Sequence, residues 1–117
     1  LVEKTEVDGA RREIRVSAVV DGTRKGTCRS MTGRRYAAQV ELEDCGYTRW
    51  LAVDEDYRQK GIGRYLLRRA LHEHQQEGYT CARLNVREKN TNAHALYQSE
   101  GYLTEDRSSA YLKDLGV

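Results

Sequence analysis

Two glycines set two residues apart among cations make the most chemically suggestive segment of the chain, Arg58-Gln59-Lys60-Gly61-Ile62-Gly63, with Arg64 following. It lies between an apolar run, residues 47–53, and a stretch of helical periodicity. At such a strand-to-helix junction the first backbone N–H groups of the helix lack intrahelical partners and sit at the positive end of its dipole. Glycines at 61 and 63 let a pyrophosphate approach that backbone closely, while Arg58, Lys60 and Arg64 add charge-assisted contacts to phosphate oxygens. The segment is not a nucleoside-triphosphate loop, because Gly63 is followed by Arg64-Tyr65 rather than by Lys and a hydroxyl residue. A dinucleotide fingerprint would need a third glycine where Leu66 stands. Taken by itself, the hexapeptide leaves an ordinary glycine-bearing turn open as well.

The elements that must hold this loop follow from periodicity. Ile14, Val16, Ala18 and Val20 alternate with Arg15, Ser17 and Val19, which predicts a half-buried strand over residues 13–20. Asp21-Gly22-Thr23-Arg24 is a hairpin signal, with residues 25–31 as the returning strand. Residues 32–46 are the least regular, although Tyr36, Ala38, Val40 and Leu42 alternate and suggest a further strand ending near Asp44. Residues 47–53 read as a buried strand and residues 54–60 as a polar loop. From Gly63 onward Leu66, Leu67, Ala70, Leu71 and His74 share one stripe, predicting an amphipathic helix closed by Gly78. Residues 81–86 form another strand. Asn90 to Asn92 offer capping side chains to a short helix carrying Ala93, Leu96 and Tyr97 and closed by Gly101. Two short strands follow in residues 102–115, around Asp106-Arg107-Ser108. The order β-β-(β)-β-α-β-α-β-β predicts an α/β (α+β) layered single domain over residues 1–117, with its core at 13–113 and residues 1–12 as an arm or edge strand.

Composition narrows the function classes. A chain of 117 residues, 38% hydrophobic and 32% charged, fits one small globular domain. Its apolar runs, such as Ala18-Val19-Val20, are far too short to span a membrane, and no secretory leader is expected. A net charge of +2 makes no case for nucleic acid, and Arg11-Arg12, Arg34-Arg35 and Arg68-Arg69 read as solvated faces. Cys28, Cys45 and Cys81 are odd in number and lack a C-x-x-C pair, so they read as free thiols of a cytoplasmic protein rather than a zinc site or disulfide framework. His72 and His74 stand two apart on a helix and cannot chelate together; they read as surface and rim residues, and no metal is expected. Phenylalanine and proline are absent, and eight tyrosines are expected to take the large aromatic positions.

In this strand-to-helix setting the hexapeptide resembles the R/Q-x-x-G-x-G/A coenzyme A motif of the GNAT superfamily. Downstream, Asn90, Ala93, Leu96-Tyr97 and Gly101-Tyr102 are similar to the family's second signature: an Asn, an Ala three later, Leu-Tyr, then Gly-aromatic. The resemblance covers residues 47–113 and extends to the hairpin at 13–31. It implies a GNAT-type acyl-CoA N-acyltransferase fold, a mixed and mostly antiparallel sheet flanked by helices. It also implies an enzyme moving an acetyl group from acetyl-CoA to a primary amine of a small molecule or protein. In such a fold a central strand splays from its neighbour and the pantetheine arm enters the gap. Carried over residue by residue, Leu51, Ala52 and Val53 supply backbone contacts, one amide of which would stabilise the oxyanion. Arg58, Gln59, Lys60, Gly61, Ile62 and Gly63, with Arg64, hold the pyrophosphate. Asn90 hydrogen-bonds the pantetheine arm, and Tyr97 lies near the sulfur as the catalytic acid. A phenol, with a reference pKa of about 10, keeps its proton at neutral pH and can give it to a thiolate.

The resemblance also marks departures. A glutamate that some members carry on the central strand falls at Tyr47, and another falls at Asn85; neither position is acidic here. Glu41, Glu43 and Asp44 are near in sequence, and a water relay or an acceptor amine of low pKa would serve instead. The family's first strand and its two following helices, which shape the acceptor site, have no expected counterpart ahead of Glu13. With Leu1 in place of Met, the chain is expected to follow a preceding domain or to take its acceptor wall from a second copy. A non-catalytic acyl-CoA-binding or regulatory domain is the alternative reading.

Overall fold

The computed structural model describes residues 1–8, 11–32, 45–87, 89–104 and 110–115. Among them lie strands β1 (Val2–Asp8), β2 (Arg11–Val20), β3 (Thr23–Thr32), β4 (Cys45–Val53), β5 (Cys81–Asn85), β6 (Leu103–Thr104) and β7 (Ala110–Asp114). Two helices, α1 (Ile62–Gln76) and α2 (Thr91–Ser99), follow β4 and β5, with a short 3-10 turn at Glu55–Tyr57. The strands form one sheet in the order β1-β2-β3-β4-β5-β7-β6. Only β4 and β5 pair in parallel; every other neighbouring pair is antiparallel.

The β2–β3 hairpin closes as its residues dictate. Asp21 and Gly22 both take positive φ, 51° and 80°, which is the two-residue turn whose twist matches the flanking strands. Ahead of it the structure decides between the two readings of residues 1–12, arm or edge strand. Residues 2–8 are an edge strand rather than a loose arm, and Val2 pairs with Val16 while Lys4 pairs with Ile14. Only residues 9 and 10 separate β1 from β2, so no helix intervenes between them. Ion pairs fasten this edge to α1: Lys4 Nζ lies 2.9 Å from both Glu73 and Glu77, and Arg12 lies 2.7 Å from Glu77. Those contacts hold the Glu73 carboxyl below its usual range, with the Lys4 hydrogen bond as the main cause. β4 begins at Cys45, two residues earlier than periodicity indicated, and α1 begins at Ile62, ahead of Gly63. The further strand suggested over residues 36–42 and the turn at 106–108 lie outside the described residues.

One helix covers both halves of the sheet. Leu66 and Ala70 of α1 pack on Ile14, Val16 and Cys28 of β2 and β3. Leu67 and Leu71 pack on Ala82, Leu84 and the ring cluster Tyr97, Tyr102 and Tyr111. Burying each leucine contributes about 1.5–3 kcal/mol, so α1 ties the two half-sheets into one body. The three core tyrosines fill the aromatic positions that phenylalanine would otherwise take.

Two readings of individual residues are corrected by packing. His74 is not a rim residue; it is fully buried, and its ring fills the space over Gly46 of β4. Among the described residues neither ring nitrogen has a hydrogen-bond partner. Burial lowers its pKa to about 4, against the opposing pull of the Glu77 and Glu73 charges. Nor are all three cysteines free. Cys45 and Cys81 are register partners on β4 and β5 and form a disulfide, which leaves Cys28 as the buried free thiol. Thirty-odd residues of chain, including all of α1, separate that pair, so no local spacing rule announces it.

Candidate functional site

The register of β4 creates the site. Its pairing with β5 runs from Cys45↔Cys81 to Thr48↔Leu84 and stops there. On its other side β4 stays paired with β3 out to Gly26↔Val53, with a bulge at Arg49 between the Thr48 and Trp50 pairings. The backbone of residues 49–53 therefore has no strand partner on its β5 side among the described residues. Unpaired backbone N–H and C=O groups are obligatory hydrogen-bonding groups, and an extended polar chain laid beside them would satisfy them. A cleft of about 850 Å³ opens at this divergence, and its lining includes Leu51, Ala52 and Val53.

The far end of the cleft is the loop before α1. Gln59 and Gly61 both adopt positive φ, 61° and 81°, which swings the chain sharply into the helix. Gly61 is the N-cap, offers no capping side chain, and no acidic residue occupies the first turn. A Cβ built at Gly61 would meet no atom within 4 Å, so open space faces the helix N-terminus. An uncapped N-terminus with open space in front fits an anion such as a pyrophosphate. Arg58 is turned back on the strand, its Nε donating to the Val53 carbonyl at 2.9 Å.

Helix α2 forms the opposite wall. Asn90 caps it, its side-chain oxygen accepting from Ala93 N at 3.2 Å, as the capping signal predicts. His94 anchors the helix from behind: its Nε2 pairs with the Arg87 carbonyl and its Nδ1 with the Tyr111 hydroxyl at 2.7 Å. Tyr97 lines the cleft with only 6% of its surface exposed, edge-on to Tyr102 with ring centroids 5.5 Å apart. Burial pushes its pKa up to about 12, so the phenol remains protonated across the neutral range. The two walls are clamped together beside the cleft. Glu100 receives hydrogen bonds from Arg64 and, at 2.6 and 3.0 Å, from Arg68, and Arg64 also donates to Ser99 at 2.9 Å.

Every donor-site residue named from the sequence lines this cleft except Lys60, whose ammonium instead lies over the Tyr57 ring; Glu41, Glu43 and Asp44 lie outside the described residues. Arg64 lines it too, yet its guanidinium is engaged by Ser99 and Glu100, so it braces the wall as well as facing the space. Tyr57, Asn92, Ala93, Leu96 and Ser99 also line the cleft and were not singled out as site residues. Ala93, Leu96 and Ser99 stand three apart and Leu96 four from Asn92, the spacing of one helix face. Tyr47 and Asn85, where family glutamates would fall, are joined to each other by a hydrogen bond from the Asn85 amide to the Tyr47 hydroxyl. Among the described residues no cluster of three metal-ligating side chains occurs, and no helix is long and apolar enough to cross a membrane.

A model of the acetyltransferase (GNAT) family matches residues 5–102. The chain belongs to that family. A GNAT relative, the ribosomal protein bS18-alanine N-acetyltransferase of Escherichia coli K12, is 42% identical over 52 residues, which are 44% of this chain and 35% of that protein. The same enzyme of Shigella flexneri matches to the same extent. The chain thus spans about a third of the length of the curated relatives it matches. Among solved structures, the PaiA N-acetyltransferase of Thermoplasma acidophilum in complex with coenzyme A is similar, with a TM-score of 0.73 and 21% identity over 90% of this chain and 61% of that one. The E. coli ribosomal-protein-S18-alanine N-acetyltransferase has a TM-score of 0.66 at 22% identity, over 92% of this chain and 69% of that one. At these identities the likeness is one of GNAT fold: a mixed α/β architecture with a mostly antiparallel sheet.

Proposed function

We propose that the chain is the donor-binding part of an N-acyltransferase that transfers an acetyl group from acetyl-CoA to a primary amine. The observation that carries this reading is the single cleft running from the uncapped N-terminus of α1, past the unpaired edge of β4, to Tyr97. Acetyl-CoA, when bound, supplies an activated thioester. The residues of the chain do the rest. The loop at Gln59–Gly63 holds the pyrophosphate on backbone N–H groups, and its left-handed Gly61 removes any side chain from the approach. The backbone of residues 51–53 holds the pantetheine amides as an added strand would, and an N–H there faces the charge that develops on the carbonyl oxygen. Tyr97 holds a proton for the departing sulfur; the burial that raises its own pKa equally disfavours a bare thiolate beside it.

The curated relatives are named for acetylating the alanine of a ribosomal protein, which makes a protein N-terminus the first acceptor to try. An α-amino group, with a reference pKa of about 8, is far more often neutral at physiological pH than a lysine side chain at about 10.4. A site that presents Tyr47 and Asn85 rather than carboxylates at the two family positions suits such an amine.

Titration calorimetry with acetyl-CoA tests the donor half. The full chain is expected to bind it, and replacing Gly61 with a bulky residue such as Val is expected to abolish binding. Unchanged affinity in that variant, with the fold intact by circular dichroism, removes the loop from the reading. Binding without turnover on any amine would favour the non-catalytic alternative.

A further inference from the structure

At the phosphate loop two lysines, one in the loop and one on β3, lie over one aromatic ring. Lys60 Nζ lies 5.3 Å and Lys25 Nζ 5.5 Å from the centroid of Tyr57. The two ammonium groups can therefore be no further apart than the sum of those distances. Tyr57 ends the 3-10 turn after β4 and lines the cleft; Lys25 comes from β3, on the other side of β4's end. The two segments are fastened there by a backbone hydrogen bond from Asp54 N to the Lys25 carbonyl at 2.7 Å. Among the described residues neither ammonium has a carboxylate partner; each has only the ring face.

Two lysines drawn to one ring, with no carboxylate beside either, leave this patch positively charged, and a ring face offsets an exposed cation only in part, by roughly 0.5–1 kcal/mol. A dianion beside them would be attracted by both charges. Each phosphate of a pyrophosphate diester carries one negative charge, and the uncapped helix end already accommodates that group. A phosphate monoester carries about −1.5 to −2 at pH 7 and presents three acceptor oxygens. We infer that Lys25, Tyr57 and Lys60 form a second anion site for the phosphate monoester on the ribose of the donor. The site makes the protein selective for free coenzyme A over donors that lack that group, such as dephospho-coenzyme A or a carrier-bound phosphopantetheine. The inference rests on the proposed coenzyme A reading and adds a residue, Lys25, that lies outside the loop motif.

Calorimetry with coenzyme A and with 3′-dephospho-coenzyme A at low ionic strength separates the two ideas. The wild-type chain is expected to bind coenzyme A about tenfold more tightly, the scale of one or two exposed charge-assisted contacts. Lys25→Met keeps the apolar stem and removes the charge. It is expected to weaken coenzyme A several-fold, leave dephospho-coenzyme A unchanged and so erase the preference. Tyr57→Leu, which unseats both lysines, is expected to do the same. Equal affinity of the wild type for both ligands overturns the second site while leaving the coenzyme A reading standing. So does a Lys25→Met variant that weakens both ligands alike. Failure to bind either ligand overturns both.

Discussion

The ring of His74, on α1, occupies the space into which any side chain at Gly46 of β4 would project. This contact helps to seat the helix on the central strand, a few residues from where β4 parts from β5. It also explains why a histidine can sit in the apolar stripe of α1: the strand beneath it offers no side chain, so the imidazole fills the layer as an aromatic would.

Gly46→Ala should therefore destabilise the fold by about 1–3 kcal/mol, the range for overpacking in a tight core, as a lower urea midpoint at unchanged slope. Gly63→Ala is the control. Its Cβ would meet Val53 at 3.7 Å, an ordinary contact, and the residue is helical, so stability should change by less than about 1 kcal/mol.

Stability should fall on mild acidification. The folded pKa of His74 is lowered to about 4 from its ordinary value of about 6.5, so between these pH values the unfolded chain takes up a proton that the folded chain refuses. Stability is full above about pH 6.5 and declines as pH falls toward 4, by ~3 kcal/mol if this group acted alone. Denaturant melts from pH 7.5 to 4 measure the slope, and His74→Phe should flatten it over that window. A slope unchanged in the variant would assign the acid sensitivity elsewhere.

The Cys45–Cys81 cross-link closes a loop that includes all of α1. Thiol titration of the unfolded, unreduced protein should find one reactive thiol, Cys28, rather than three. Reduction, or Cys45→Ser, should cost up to about 4 kcal/mol on the loop-entropy model. Its effect on the melting temperature should exceed that of Cys28→Ala only if the cross-link acts through the unfolded chain.

Tyr97→Phe keeps the ring in its cluster and removes the hydroxyl. Acetyl transfer to an N-terminal alanine peptide should slow by about 10²-fold, the lower end for general-acid catalysis, with donor affinity nearly unchanged. Turnover and affinity both unaltered would reduce Tyr97 to a packing residue.

Much of this was legible in advance, and the reasons are local. The Asp21-Gly22 turn forms because those two residues tolerate positive φ. The stripe Leu66, Leu67, Ala70 and Leu71 is buried as its spacing requires. Asn90 caps α2 through its own side chain, and the loop residues from Arg58 to Gly63 lie where a strand hands over to a helix. Each of these depends on neighbours within a few positions along the chain. The edge strand over residues 2–8 was left half-read for the converse reason. Its alternation is weak, and its place is fixed by pairing with β2 and by Lys4 meeting Glu73 and Glu77 on a distant helix.

The sequence by itself determined the character of the phosphate loop and the order of elements around it, because turn chemistry and periodicity are written in consecutive residues. Tertiary structure alone decided that strand pairing between β4 and β5 ends at Thr48 and Leu84, so that a cleft opens where Tyr97 is buried. It likewise decided that Cys45 meets Cys81, that Glu100 braces Arg64 and Arg68, and that Lys25 joins Lys60 over Tyr57. These pairs are brought together by sheet register and helix packing, which set the distance between residues far apart in the chain and leave no periodic trace in it.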